Sequence, residues 1–295
     1  MPDPAAAIAA LAGRGIRIDP DSPRPVGGGC IHSAWRVATP DGAVFLKTNR
    51  ASLSWLLEAE ADGLAAIRDA GCLRTPVVLG CGVEEDTAWL ALEWLELRPA
   101  TPGSERALGE GLARQHRAAG PRFGWRRDNA IGATSQPNTP GDDWADFFAE
   151  RRIGFQLDTG ARQGLPRRLL SRGDRLRALV PQMFAERRPA PALLHGDLWS
   201  GNRAAVAAGD PVVFDPAVHY GDPECDLAMT RLFGGFAPEF YAAYDAVLPP
   251  APGRAIREPL YRLYHVLNHA NLFGGGYCGQ AERLIDSLLA EWGHS

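Results

Sequence analysis

The chain has 295 residues, 45% apolar and 22% charged, with a formal net charge of −4 and a pI near 6.0. That is enough chain to bury a large core without disulfides or metal staples, as one large domain or two modest ones, and too apolar for disorder. The charge balance provides no basic field for nucleic acid or acidic lipid, and there is no run of about 18 uninterrupted apolar residues for a membrane helix.

Two further counts narrow the class. Five scattered cysteines (Cys30, Cys72, Cys81, Cys225 and Cys278) contain no C-x-x-C pair, so neither a disulfide framework nor a zinc site is expected. The opening Met1-Pro2-Asp3-Pro4 lacks the basic segment of a secretory signal, and the expected location is the cytoplasm. Of the 31 basic residues, Lys47 alone is lysine. In a chain this biased toward arginine, a retained lysine marks a place that needs a compact ammonium rather than a planar guanidinium.

In chain order, residues 5–13 read as a short Ala-rich helix closed by Gly13 and Gly15. Ile31–Val37 and Ala43–Lys47, with Pro40-Asp41-Gly42 between them, read as a hairpin that ends on Lys47. Residues 52–70 carry an amphipathic stripe ending near Gly71, and Pro76–Leu79 and Ala88–Leu97 read as strands. From about residue 104 the pattern turns helical, with segments at 104–118, 142–160, 166–186, 237–247, 256–272 and 279–292 and a short β-rich stretch from Leu193 to Asp215. The two prolines around Glu96–Pro102 mark the break. The predicted fold is therefore α+β with two lobes, a small β-rich N-lobe (residues 1–96) and a larger, mainly helical C-lobe (residues 97–295), with a cleft between them.

The chemistry concentrates in His195-Gly196-Asp197-Leu198-Trp199-Ser200-Gly201-Asn202 and in Val212-Val213-Phe214-Asp215. An Asp, an Asn five residues on, and a second Asp after a strand form the catalytic-loop and metal-acid pattern of protein-kinase-like phosphoryl transfer. On that pattern Asp197 is the base, Asn202 and Asp215 hold Mg²⁺, and Lys47 holds the nucleotide phosphates. Its helix partner should be Glu60, which lies on the apolar stripe of 52–70, whereas Glu58 falls off it. Gly28, Gly29, Cys30 and Ile31 form the turn expected over the phosphates of ATP, although it lacks the G-x-G-x-x-G of protein kinases. Glu93, Trp94 and Leu95 occupy the place of an adenine hinge. Asp226 is read as the N-cap of a helix that braces the catalytic loop, with Asp222 and Glu224 solvated.

Together with Gly28-Gly29-Cys30-Ile31-His32, Phe123-Gly124-Trp125, the run Asp226 to Gly235 and Asn268-His269-Ala270-Asn271-Leu272-Phe273-Gly274-Gly275-Gly276-Tyr277, the 195–202 block resembles the fructosamine kinase (ketosamine-3-kinase) family, within the aminoglycoside-phosphotransferase-like kinases. The resemblance implies a two-lobed protein-kinase-like fold and Mg²⁺-ATP-dependent phosphorylation of the 3-hydroxyl of a ketosamine, borne by a small amine or by a glycated protein, as a step in deglycation. It makes Trp199 an aromatic face for the sugar. Trp125, Asp128, Asn129, His269 and Asn271 are candidates for further contacts, each with a structural role as its alternative. It also implies that Cys30 can be redox-active and link two subunits, so the assembly is a monomer or a redox-dependent homodimer. The competing readings are a kinase for an aminoglycoside, choline or thiosugar, and a catalytically silent nucleotide-binding or redox-sensing module. Retention of Lys47, Asp197, Asn202 and Asp215 argues against the silent module.

Overall fold

The computed structural model describes residues 4–27, 31–207 and 209–293. The expectations for Gly28, Gly29 and Cys30, including the redox role of Cys30, fall outside these residues.

The first part of the chain builds one antiparallel sheet. Helix α1 (Ala5–Gly13) buries Ala7, Ile8 and Leu11 against Val37, Leu46 and Trp89 of that sheet. Strands β1 (Arg24–Pro25), β2 (Ser33–Thr39), β3 (Gly42–Arg50), β4 (Val78–Glu84) and β5 (Thr87–Glu93) lie in the order β1-β2-β3-β5-β4. The β2–β3 hairpin turns at Pro40-Asp41, pairs Thr39 with Gly42, and sets Ala34 opposite Lys47. Strand β5 is buried along most of its length and flanked on both edges, which is where a run such as Thr87-Ala88-Trp89-Leu90-Ala91-Leu92 belongs. It stops at Glu93 rather than at the predicted Leu97, because Glu93 pairs with Val44 and the partner strand β3 begins only two residues beyond, at Gly42.

Helix α2 (Ser54–Ala70) crosses the sheet, buries Leu57 and Leu64 against Leu90 and Leu92, and ends at a left-handed Gly71. Helix α3 (Pro102–Arg117) then opens with a capping box between Thr101 and Ser104 and a proline in its first turn, two signals that agree on one start. A small hairpin follows, β6 (Asn129–Ile131) with β7 (Thr134–Gln136), which the sequence reading missed because each strand is three residues long.

The predicted 142–160 helix is interrupted. Helix α4 (Trp144–Phe148) and helix α5 (Phe155–Gln163) flank a π-helical turn over Ala149–Gly154. The wider turn brings Arg152 into the interior, where its guanidinium donates to the Pro137 carbonyl at 2.7 Å and to Asn138 Oδ1 at 2.7 Å. Helix α6 (Arg167–Met183) leads to β8 (Ala192–Leu194); β9 (Arg203–Ala205) pairs with β10 (Pro211–Val213), while β8 pairs with β11 (His219–Gly221). Helices α7 (Glu224–Thr230), α8 (Pro238–Val247), α9 (Arg254–Phe273) and α10 (Gly276–Trp292) complete the chain. The core beneath them is aromatic, with Trp144, Phe148, Tyr261 and Tyr264 at its centre. Among the described residues no helix is long and apolar enough to cross a membrane.

Candidate active site

A cleft of about 680 Å³ runs between the sheet and the helical part. Its walls include Ile31, Lys47, Glu60, Glu93, Trp94 and Leu95 from the sheet side. From the helical side come Asp197, Trp199, Asn202, Asp215 and also Asn129. Residues 150 or more apart in sequence thus meet in one space.

Lys47 is the pivot. Strand β3 carries it into the interior, where its Nζ donates to Glu60 Oε1 at 2.7 Å and to Asp215 Oδ1 at 2.5 Å. Burial alone would lower the ammonium pKa, but the two carboxylates outweigh it and hold it above its ordinary value, so Lys47 is a fixed cation. Glu58 instead points outward to Arg127. Burial first, and then the Lys47 cation, lower the neighbouring His32 to about 4 against the opposing pull of Asp215, and keep it neutral. His32 belongs to the Gly28–His32 run that carries the family resemblance, but the sequence assigns it no role of its own.

The loop between β8 and β9 is laced to the loop after β10. The Ala217 N–H donates to the His195 carbonyl at 2.8 Å, and the Phe214 N–H donates to the Asn202 carbonyl at 3.1 Å. His195 is fully buried, which lowers its pKa; its Nδ1 accepts from the Asp197 N–H, so its Nε2–H donates to the Phe214 carbonyl. Gly196 has φ +84°, and a Cβ there would meet the Ala217 oxygen at 2.1 Å, so the turn that presents Asp197 admits only glycine. Asp215 is one of two non-glycine residues with positive φ among the described residues, at +55°. That backbone aims its carboxylate at Lys47 and leaves about half of the side chain open to the cleft.

Asp197 is the second singular acid. Burial first, and then the charge of Asp215, push its pKa up to about 7, while a hydrogen bond from Asn202 opposes the shift. Asn202 spends its Nδ2 on the Asp197 carbonyl at 2.8 Å and on the Asp197 carboxylate at 3.1 Å, which leaves its Oδ1 as the atom a hard cation would use. The donor set on offer, one carboxylate and one amide oxygen, suits Mg²⁺ that takes its remaining ligands from phosphate and water. Among the described residues no cluster of three or more His, Cys, Asp or Glu could hold a metal by itself.

Asp226 braces the loop, but not as an N-cap. It lies inside α7, and its two oxygens accept from the His195 and Gly196 N–H groups at 2.7 and 2.8 Å while His116 Nε2 reaches it at 3.1 Å. Asp222 and Glu224, expected to be solvated, are buried: Arg187 and Tyr261 bind Asp222, and Arg187 and Arg257 bind Glu224. Asp222 and Glu224 read as solvated only while Arg187, from the loop after α6, and Arg257, from α9, are out of view.

Of the residues proposed to touch an acceptor, Trp199 stands in the cleft wall, 36% exposed. Its ring meets Phe233 edge-on at 5.9 Å, Phe233 meets His269 at 5.0 Å, and His269 meets Phe273 and Tyr277, so aromatic rings continue from the cleft onto the surface. Trp125, Asp128, His269 and Asn271 do not line the cleft. Trp125 is buried and bonded to Asp62, Asp128 accepts from the Asn138 N–H, and Asn271 is tied to Gln156. At the hinge, the Glu93 carboxylate is already taken, and its N–H donates to the Val77 carbonyl at 2.8 Å.

The profile of the fructosamine kinase family matches residues 3–291. The chain belongs to the fructosamine kinase family. It is 45% identical over 270 residues to a protein from Synechocystis named a probable ketoamine kinase, with 90% of each chain covered. It is 39% identical over 267 residues to a chloroplastic protein-ribulosamine 3-kinase of Oryza sativa subsp. indica, covering 90% of this chain and 78% of that one. A candidate fructosamine-3-kinase from Haemophilus somnus superposes with a TM-score of 0.87 at 29% identity, covering 96% of this chain and 97% of the other. Spectinomycin phosphotransferase APH(9)-Ia superposes at 0.59 with 12% identity, a likeness of fold alone. Membership of the family makes the protein a phosphotransferase with the two-lobed kinase-like fold.

Proposed function

We propose that this protein transfers the γ-phosphoryl group of ATP to the 3-hydroxyl of ketosamines, on small amines or on glycated proteins, and so takes part in deglycation. The observation that carries the proposal is the meeting of the Lys47–Glu60 pair, Asp197, Asn202 and Asp215 on one cleft in a chain of this family. The name of the rice relative, a protein-ribulosamine 3-kinase, supports both the position of the hydroxyl and a protein-borne substrate.

In this reading the lobes divide near residue 96, with 1–96 binding nucleotide and 97–295 supplying the acceptor side. Lys47, fixed by Glu60, faces the phosphates, and the apolar walls with Glu93, Trp94 and Leu95 take the base. Asn202 Oδ1 and the Asp215 carboxylate hold Mg²⁺, which when bound offsets the negative charge of the phosphates. Asp197 accepts the hydrogen bond of the attacking hydroxyl and draws off its proton as the oxygen–phosphorus bond forms. Trp199 and His269 offer faces to the sugar, and the outward rings of Phe273 and Tyr277 receive the substituent on its nitrogen. We place the protein in the cytoplasm as a monomer, or as a homodimer linked through Cys30.

The test is ADP release with Mg²⁺-ATP and ribulosyl-lysine, fructosyl-lysine, kanamycin or choline. Turnover on a ketosamine that disappears in Asp197→Ala supports the reading. Turnover on kanamycin or choline alone moves the acceptor to another class.

A further inference from the structure

Trp125 is a candidate for the substrate side with a structural role as its alternative, and its position in the structure is the structural one. Its indole N–H donates to Asp62 Oδ2 at 2.7 Å, and Arg126 pairs with the other oxygen of the same carboxylate. Asp62 lies on α2, two residues beyond Glu60; Glu58, two residues before it, is held by Arg127 at 3.2 Å. Three successive residues of one C-lobe loop therefore grip the helix that carries the partner of Lys47.

The other end of the grip leads to the catalytic loop. Gly124 and Tyr220 exchange backbone hydrogen bonds at 2.9 and 2.8 Å, and the Trp125 ring packs on the Tyr220 ring at 5.4 Å. Tyr220 lies on β11, which pairs with β8, and β8 runs directly into His195. Gly63 of α2 abuts Pro216 and Val218, just past Asp215. A buried tryptophan with its single donor spent on a carboxylate 13% exposed is a stronger tie than a surface ion pair, because water cannot replace the bond without entering the interface.

We propose that Trp125 and Asp62 are positioning residues, which hold α2 so that Glu60 stays on Lys47 and so keep the nucleotide site assembled from the C-lobe side. This rests on Lys47 and Glu60 serving the nucleotide, and it is read on nucleotide affinity so that it does not depend on which acceptor is used.

Trp125→Phe keeps the ring on Tyr220 and removes only the N–H. The dissociation constant for Mg²⁺-ATP should rise about tenfold, with KM for the acceptor changed less than twofold, and Asp62→Ala should match it. Asp62→Asn retains an oxygen for the indole and should stay within about threefold of the parent. In a Glu60→Gln background, Trp125→Phe should add less than about twofold, because the contact through which it acts is already gone. The inference is overturned by an unchanged nucleotide affinity in both Trp125→Phe and Asp62→Ala, by full additivity with Glu60→Gln, or by an effect confined to acceptor KM. Loss of acceptor turnover with these nucleotide effects intact would count against the proposed substrate and leave the clamp standing.

Discussion

Asp197 and Lys47 show how one residue's surroundings set its task. Asp197 has to be ionised to accept a proton, yet burial and Asp215 raise it to about 7. The rate of the acceptor step, as kcat/KM, should therefore climb with pH to a plateau above about 7, and a flat profile from pH about 5 to 8 would remove Asp197 from the role of base. Asp197→Ala should lower kcat by about 10²- to 10⁴-fold with ATP binding retained. The same shift has a stability consequence. A carboxyl raised in the folded state favours folding fully below its ordinary pKa, and that contribution is lost as pH rises through the folded value of about 7. Asp197→Asn should accordingly gain thermal stability relative to the parent between pH about 5 and about 8, a difference that melting curves at the two values can read. At Lys47 the two carboxylates at 2.7 and 2.5 Å require a compact ammonium. Lys47→Arg should weaken ATP binding about tenfold or more even though charge is conserved.

Among the elements, the catalytic loop shows how short pieces are made rigid. Strands β8, β9, β10 and β11 are three residues each and cannot fix a loop alone. Asp226, inside α7, does so by accepting two consecutive backbone N–H groups and His116. Its pKa is lowered, because these donors outweigh the effect of burial, so it stays ionised across the working range. Asp226→Ala leaves those donors buried without an acceptor and should destabilise the protein by about 2–4 kcal/mol, seen as a fall in the denaturant midpoint. Asp226→Asn, which keeps one acceptor, should lose less. This device was only half legible from sequence. The helix start near Asp226 could be read, but which N–H groups it would meet depended on β8, thirty residues earlier in the chain. The π-turn at Ala149–Gly154 was hidden in the same way, since Arg151-Arg152 reads as exposed charge until Asn138 and Pro137 are brought beside it.

In the whole molecule, sheet and helices share one cleft, and the nucleotide is expected to tie them together. Ligand binding stabilises the folded state by RT ln(1 + [L]/Kd), so ATP at about 100 times Kd should add about 2.7 kcal/mol and raise the melting temperature. If Asn202 and Asp215 hold Mg²⁺, most of that rise should need the metal. Asp215→Asn should abolish the Mg²⁺-dependent part, and an undiminished rise would place the ion elsewhere.

The sequence by itself determined the periodic and the chemically rare features. It located α1 by its alanines and closing glycines, α2 by its apolar stripe, the β2–β3 hairpin by its Asp-Gly turn, Lys47 by being the lone lysine, Glu60 by its place on the stripe, and Asp197, Asn202 and Asp215 by their spacing. These depend on local geometry, which a linear pattern records. Only the tertiary structure decided that Trp125 faces Asp62 rather than a sugar, that Asp222 and Glu224 are buried against arginines, and that rings from Trp199 to Tyr277 form one surface. In each of these cases the partner lies on another element, and whether a polar side chain is solvated, paired or open to a ligand is fixed by what packs beside it rather than by its neighbours in the chain.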